Sequence, residues 1–132
     1  MDIFAESFIE IIKGTTSLTP ILTQDGIYSG YCSKISTQEE HFYFCFNYEF
    51  LLSLSTVMLF DDHPSEEDLV DLSKEIANLV IGHAKVLLAQ KGVHIQITTP
   101  TSLGQTIPSH SLKGIHFAIQ EGKCSMYKEH VC

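Results

Sequence analysis

The run from Glu66 to Gln90 constrains this chain more than any other segment, because its apolar residues recur at helical spacing throughout. Leu69, Leu72, Ile76, Leu79, Val80, Val86 and Leu87 form a stripe that has to be covered by the rest of the fold. Ser65 is a natural N-cap. Glu66, Glu67 and Asp68 fill the first turn, where the helix dipole favours negative charge. Ser65 and Asp68 fit a capping box with the shorter Asp in place of Glu, and Gly92 closes the far end.

Shorter elements flank this helix. Phe4, Phe8, Ile11 and Ile12 predict a helix over residues 3–13, stopped by Gly14. Strands are predicted at Ile21–Thr23, Ile27–Ile35 and His41–Tyr48. In the last, Phe42, Phe44 and Phe46 alternate with Tyr43, Cys45 and Asn47. Asp25-Gly26 reads as a hairpin turn between the first two strands, and Thr37 to Glu40 as the next turn. Glu49–Leu59 has helical spacing, and Val93–Thr99 alternates as a strand up to Pro100. Ile115–Gln120 and Cys124–Lys128 form a hairpin turning at Glu121-Gly122. The sum is an α/β (α+β) fold, an antiparallel-rich sheet with long helices packed on it, in a single domain over residues 1–132.

Sixteen acidic and eight basic residues give a formal net charge of −8. Such a chain repels phosphate backbones and anionic lipid, so neither nucleic acid nor membrane is an expected partner. A protein with a basic rim suits it better. Cysteines stand at 32, 45, 124 and 132 with no CxxC, and the N-terminus lacks the basic and apolar regions of a signal peptide. These features predict a cytoplasmic protein with reduced thiols, Cys32 and Cys45 serving as small buried hydrophobes. Seven histidines include no HxxxH or HxH pair, so no metal site is expected. No phosphate-binding glycine loop occurs.

The long helix has a second face. Asp71, Glu75, Asn78, Gly82 and Lys85 step by four, three, four and three residues, away from the apolar stripe. On periodicity alone this is a solvated face. Yet Asp71 and Glu75 repel one another, Asn78 is a poor helix former, and Gly82 costs about 1 kcal/mol against alanine. Three unfavourable choices on one exposed stripe point to a role other than stability.

Asp71-Leu-Ser-Lys-Glu75-Ile-Ala-Asn78, followed by Gly82 and Lys85, resembles the signature of the CheC/CheX/FliY phosphatases. That signature is an acidic or Ser residue, three residues, Glu, two residues, Asn, and a Pro further on. Pro100 lies one position short of the usual spacing. The order of the other elements is similar too. CheC-like proteins carry two such helices, whereas here Glu6 and Glu10 are followed three residues on by Ile9 and Lys13, so the single site favours a CheX-like chain.

The resemblance implies a phosphatase acting on the aspartyl phosphate of a CheY-like receiver domain. Glu75 and Asn78 become its catalytic pair, Asn78 orienting the attacking water and Glu75 contacting the receiver's lysine. Asp71, Gly82, Lys85 and Pro100 become partner-binding positions. The protein would carry no metal of its own, the Mg²⁺ residing on the receiver, and would form a homodimer through its sheet. Phe42, Phe44 and Phe46 are read as core rather than as part of that interface. The competing reading is a non-catalytic binding module of the same fold, docking on a receiver or a flagellar switch component.

Overall fold

The computed structural model describes residues 2–27, 29–106 and 113–130. Its elements are α1 (Ile3–Thr16), β1 (Ile21–Thr23), β2 (Gly30–Ser36), β3 (Glu40–Phe46), α2 (Tyr48–Met58), α3 (Glu66–Gln90), β4 (Thr101–Thr106), β5 (Gly114–Ile119) and β6 (Gly122–His130). The strands make one antiparallel sheet in the order β1-β5-β6-β3-β2-β4.

The alternation in β3 sets the layers. Phe42, Phe44 and Phe46 are fully buried and join Ile35, Phe117 and Met126 in one core cluster with α1, α2 and α3. Phe8 of α1 stacks on Phe117 with ring centroids 4.3 Å apart, and Phe4 meets Phe42 at 4.4 Å. The intervening residues face the other way, where Ile27, Cys32, Cys45 and Tyr127 form a second, smaller cluster. The three phenylalanines of β3 are therefore core and offer nothing to a partner.

Polar groups at element ends lock these layers together. The Asn47 side chain caps α2 by accepting from Phe50 N at 2.9 Å, and accepts from Lys123 N at 2.8 Å. It also donates to the Glu121 carbonyl, so α2 is tied to the β5–β6 turn. Gly122 sits under that helix start, where an added Cβ would lie 2.7 Å from Phe50 Cα. At α3 the capping box is complete, Ser65 and Asp68 each accepting from the other's amide at 3.1 Å.

Several expectations need correction. Asp25-Gly26 makes no hairpin: β1 pairs with β5 at the sheet edge, Ile21 opposite Ala118, and β2 starts only at Gly30. Residues 93–99 form no strand. Ile97 makes a lone bridge to Thr37, while Ile95 and Ile97 pack half-buried against the core, so their alternation records packing without a ladder. The strand comes after Pro100, as β4, and pairs with β2. Helix α1 runs past Gly14 to Thr16 and stops at Ser17, which adopts φ 61°. Val86, assigned to the apolar stripe, is 54% exposed; Ala77, Ile81 and Ala84 are buried instead.

The thiols are also corrected. Cys32 and Cys45 are directly opposed across β2 and β3, with Cα atoms 4.1 Å apart, and are joined as a disulfide. Cys124 is free and buried in the core, where burial pushes its thiol well above the usual range. Cys132 and His110 lie outside the described residues. Among the described residues, no helix is long and apolar enough to cross a membrane.

Candidate functional site

Two buried polar contacts and one exposed one fix the rotation of α3 about its axis. Ser73 Oγ lies 2.7 Å from Ser33 Oγ of β2, on the sheet side. Ser7 of α1 donates to the Val80 carbonyl at 2.6 Å. His83 Nε2 lies 2.6 Å from a Glu10 carboxylate oxygen, joining the same two helices. With those sides committed, the remaining face has to look outward.

Asp71, Glu75, Asn78 and Lys85 are all exposed on that face, and Gly82 is half-buried between them. Asp71 lies 3.8 Å from Lys74 Nζ, a weak solvent-exposed pair. Among the described residues, the Glu75 and Asn78 side chains make no hydrogen bond or ion pair within the chain. A free carboxylate and a free amide therefore stand one turn apart, on a helix whose rotation those contacts fix. Pro100 is half-buried and immediately precedes β4, which packs along α3, with Gln105 Nε2 3.1 Å from Glu66 Oε1.

Apart from the surrounding backbone of α3 itself, nothing lies within 4 Å of a Cβ built on Gly82, so the fold does not ask for glycine there. Gly82→Ala is accordingly expected to stabilise the isolated protein by about 1 kcal/mol in chemical denaturation. A loss of stability would show an internal packing reason for this residue.

Sequence reasoning passed over one neighbouring feature. A groove of ≈ 350 Å³ runs between the end of α2 and the first half of α3, lined by Met58, Leu59, Asp68, Asp71, Leu72 and Glu75. Phe60, next in the chain after Leu59, is 92% exposed with φ 54°. The available signal was the pair Leu59-Phe60 continuing an apolar run up to Asp61-Asp62, where a helix end usually turns polar.

Besides His83, two histidines have local side-chain partners among the described residues. His41 Nδ1 is 2.6 Å from Ser36 Oγ, and His116 Nδ1 is 2.7 Å from Ser125 Oγ. Among the described residues, no three His, Cys, Asp or Glu side chains converge to hold a metal ion. The carboxylate of Glu75 and the amide of Asn78 are exposed on an open helix face, within reach of a macromolecular surface.

The chain matches the family described as chemotaxis phosphatase CheX over residues 36–116. No curated protein sequence matches it. Among solved structures it is similar to the chemotaxis protein CheX from Vibrio vulnificus, with a TM-score of 0.81 and 23% identity over 99% of this chain and 98% of that one. A chemotactic CheC-like protein from Shewanella oneidensis gives 0.76 and 25% identity, covering 97% and 95%. A chain of the CheX–CheY–BeF3–Mg complex from Borrelia burgdorferi gives 0.66 and 15%, covering 97% and 95%.

Proposed function

The chain belongs to the CheX family of chemotaxis phosphatases, and on that footing we propose that it hydrolyses the aspartyl phosphate of a CheY-like receiver domain. The observation that carries this reading is the unpartnered Glu75 and Asn78 pair, exposed one turn apart on a rotationally fixed helix. A relative of the same fold is seen in complex with CheY, BeF3 and Mg, which supports a receiver as the partner.

An aspartyl phosphate is already reactive, so the catalyst needs to place a water in line with the phosphorus. The Asn78 amide suits this because it donates and accepts at once and does not titrate. Water attacks phosphorus, the bond from phosphorus to the aspartyl oxygen breaks, and orthophosphate leaves a free receiver carboxylate. Glu75 pairs with the receiver's active-site lysine and anchors the complex. Gly82 leaves room for the partner's backbone, with Asp71 and Lys85 extending the contact face and Pro100 supporting it from the strand side. Magnesium belongs to the receiver in this reading, where it offsets phosphoryl charge.

Orthophosphate release from phosphorylated receivers of the same cell tests the proposal. Glu75→Ala is expected to raise KM about tenfold with little change in kcat, as for a docking contact shared by ground and transition states. An equal fall in kcat instead would move Glu75 into the chemistry. A non-catalytic module would bind the receiver and release no phosphate. A homodimer is part of the proposal as well; β1, with Ile21 and Leu22 exposed at the sheet edge, is a surface available for it, and sedimentation reports the mass.

A further inference from the structure

Phe60 combines two costs that a protein normally avoids. A bulky aromatic ring is 92% exposed, and its backbone occupies the left-handed region at φ 54°, where glycine is favoured. The surrounding turn enforces that conformation. Buried Ser55 accepts from the amides of both Leu59 and Asp61 through its carbonyl, at 2.9 and 3.3 Å. Its hydroxyl donates to the Asp61 carbonyl at 2.9 Å. One buried residue thus clamps the chain on either side of Phe60 and leaves the ring in water. Strain of this kind persists only where the surroundings over-determine it, and it concentrates at binding sites.

Phe60 directly follows Leu59, which lines a groove together with Met58, Asp68, Asp71, Leu72 and Glu75. Its floor is apolar, and three carboxylates line it. Exposed Val57 and Leu59 widen the apolar surface. The groove ends at Glu75, one turn before Asn78. We infer that Phe60 and this groove dock the receiver through a surface element that presents an apolar side chain flanked by lysine or arginine, and so align it over Asn78. The inference rests on the proposed phosphatase reading and adds the anchor that Glu75 alone does not supply. An aromatic anchor beside a charged rim is the usual anatomy of an interface hot spot, and acidic walls select a basic partner.

Phe60→Gly is the test. Glycine accepts the positive φ, so the melting temperature is expected to hold or rise, whereas a core role would lower it. Binding to same-organism receivers loaded with Mg²⁺ and beryllium fluoride is expected to weaken about tenfold or more, with Phe60→Tyr restoring it. In turnover the loss appears in KM, with kcat at saturating receiver kept. Unchanged receiver binding by Phe60→Gly overturns the docking inference while leaving phosphatase activity intact. Dissociation of a dimer by Phe60→Gly, with receiver binding unchanged, assigns the groove to a second copy and also overturns it. Failure of wild type to bind or dephosphorylate any receiver removes the underlying reading and the inference with it.

Discussion

Asn78→Ala is expected to lower receiver dephosphorylation at saturating receiver by about 100-fold, in line with removing one preorganised polar contact from a reacting centre. The same change should leave the fold intact, or slightly more stable, because Asn78 is exposed and alanine is the better helix former. Affinity for the phosphorylated receiver is expected to stay near wild type, since a water-positioning amide acts mainly in the transition state. Asn78→Gln offers a sharper comparison. It keeps the amide but moves it by a methylene, and a displacement of about 1 Å is enough to cost a large part of the rate. Full activity in either variant would remove Asn78 from the chemistry.

Phe8→Ala is expected to destabilise the protein by about 3–5 kcal/mol, measured by urea unfolding. Phe8 is fully buried and meets Phe117 at 4.3 Å, Phe50 at 6.1 Å and Phe44 at 6.5 Å. It therefore joins α1, α2 and two strands at one point. Typical domains hold only about 5–15 kcal/mol in total, so the variant is expected to be partly unfolded at growth temperature. The consequence reaches the site, because α1 orients α3 through Ser7 and His83. Activity lost in this variant should return at low temperature, where the fold is recovered; activity lost in Asn78→Ala should not.

The parts of this structure legible in the sequence are those decided by local physics. Helix α3 carries its own start signal in Ser65 and Asp68 and its own period, so its bounds of Glu66–Gln90 coincide with the expectation. The outward stripe from Asp71 to Lys85 follows from that period, with Val86 the exception because the cover over α3's last turns is incomplete. The hairpins β2–β3 and β5–β6 were legible from their turns, but pairing between strands distant in the chain was not. β1 finds its partner in β5, far along the chain, and nothing around Asp25-Gly26 records that. The alternation of Ile95 and Ile97 marks burial on one side and says nothing of hydrogen-bonded neighbours, while Val93 is exposed.

The disulfide was hidden for a different reason. Cys32 and Cys45 have no motif spacing, yet they are equidistant from the turn at residues 37–40, and the hairpin register sets them face to face. The sequence position of Phe60 held no periodic signal either. The apolar run through Leu59-Phe60 marked the place, but its significance comes from exposure and a positive φ, which are properties of the fold.

The most direct measurement is the time course of aspartyl phosphate on same-cell receivers held in large molar excess over this protein. The expected result is that a substoichiometric amount of wild type clears the whole receiver pool faster than the receiver clears itself, with orthophosphate released in equal amount. Decay no faster than that of every receiver alone, or protection limited to the fraction of receiver bound, would contradict phosphatase action and leave a binding module.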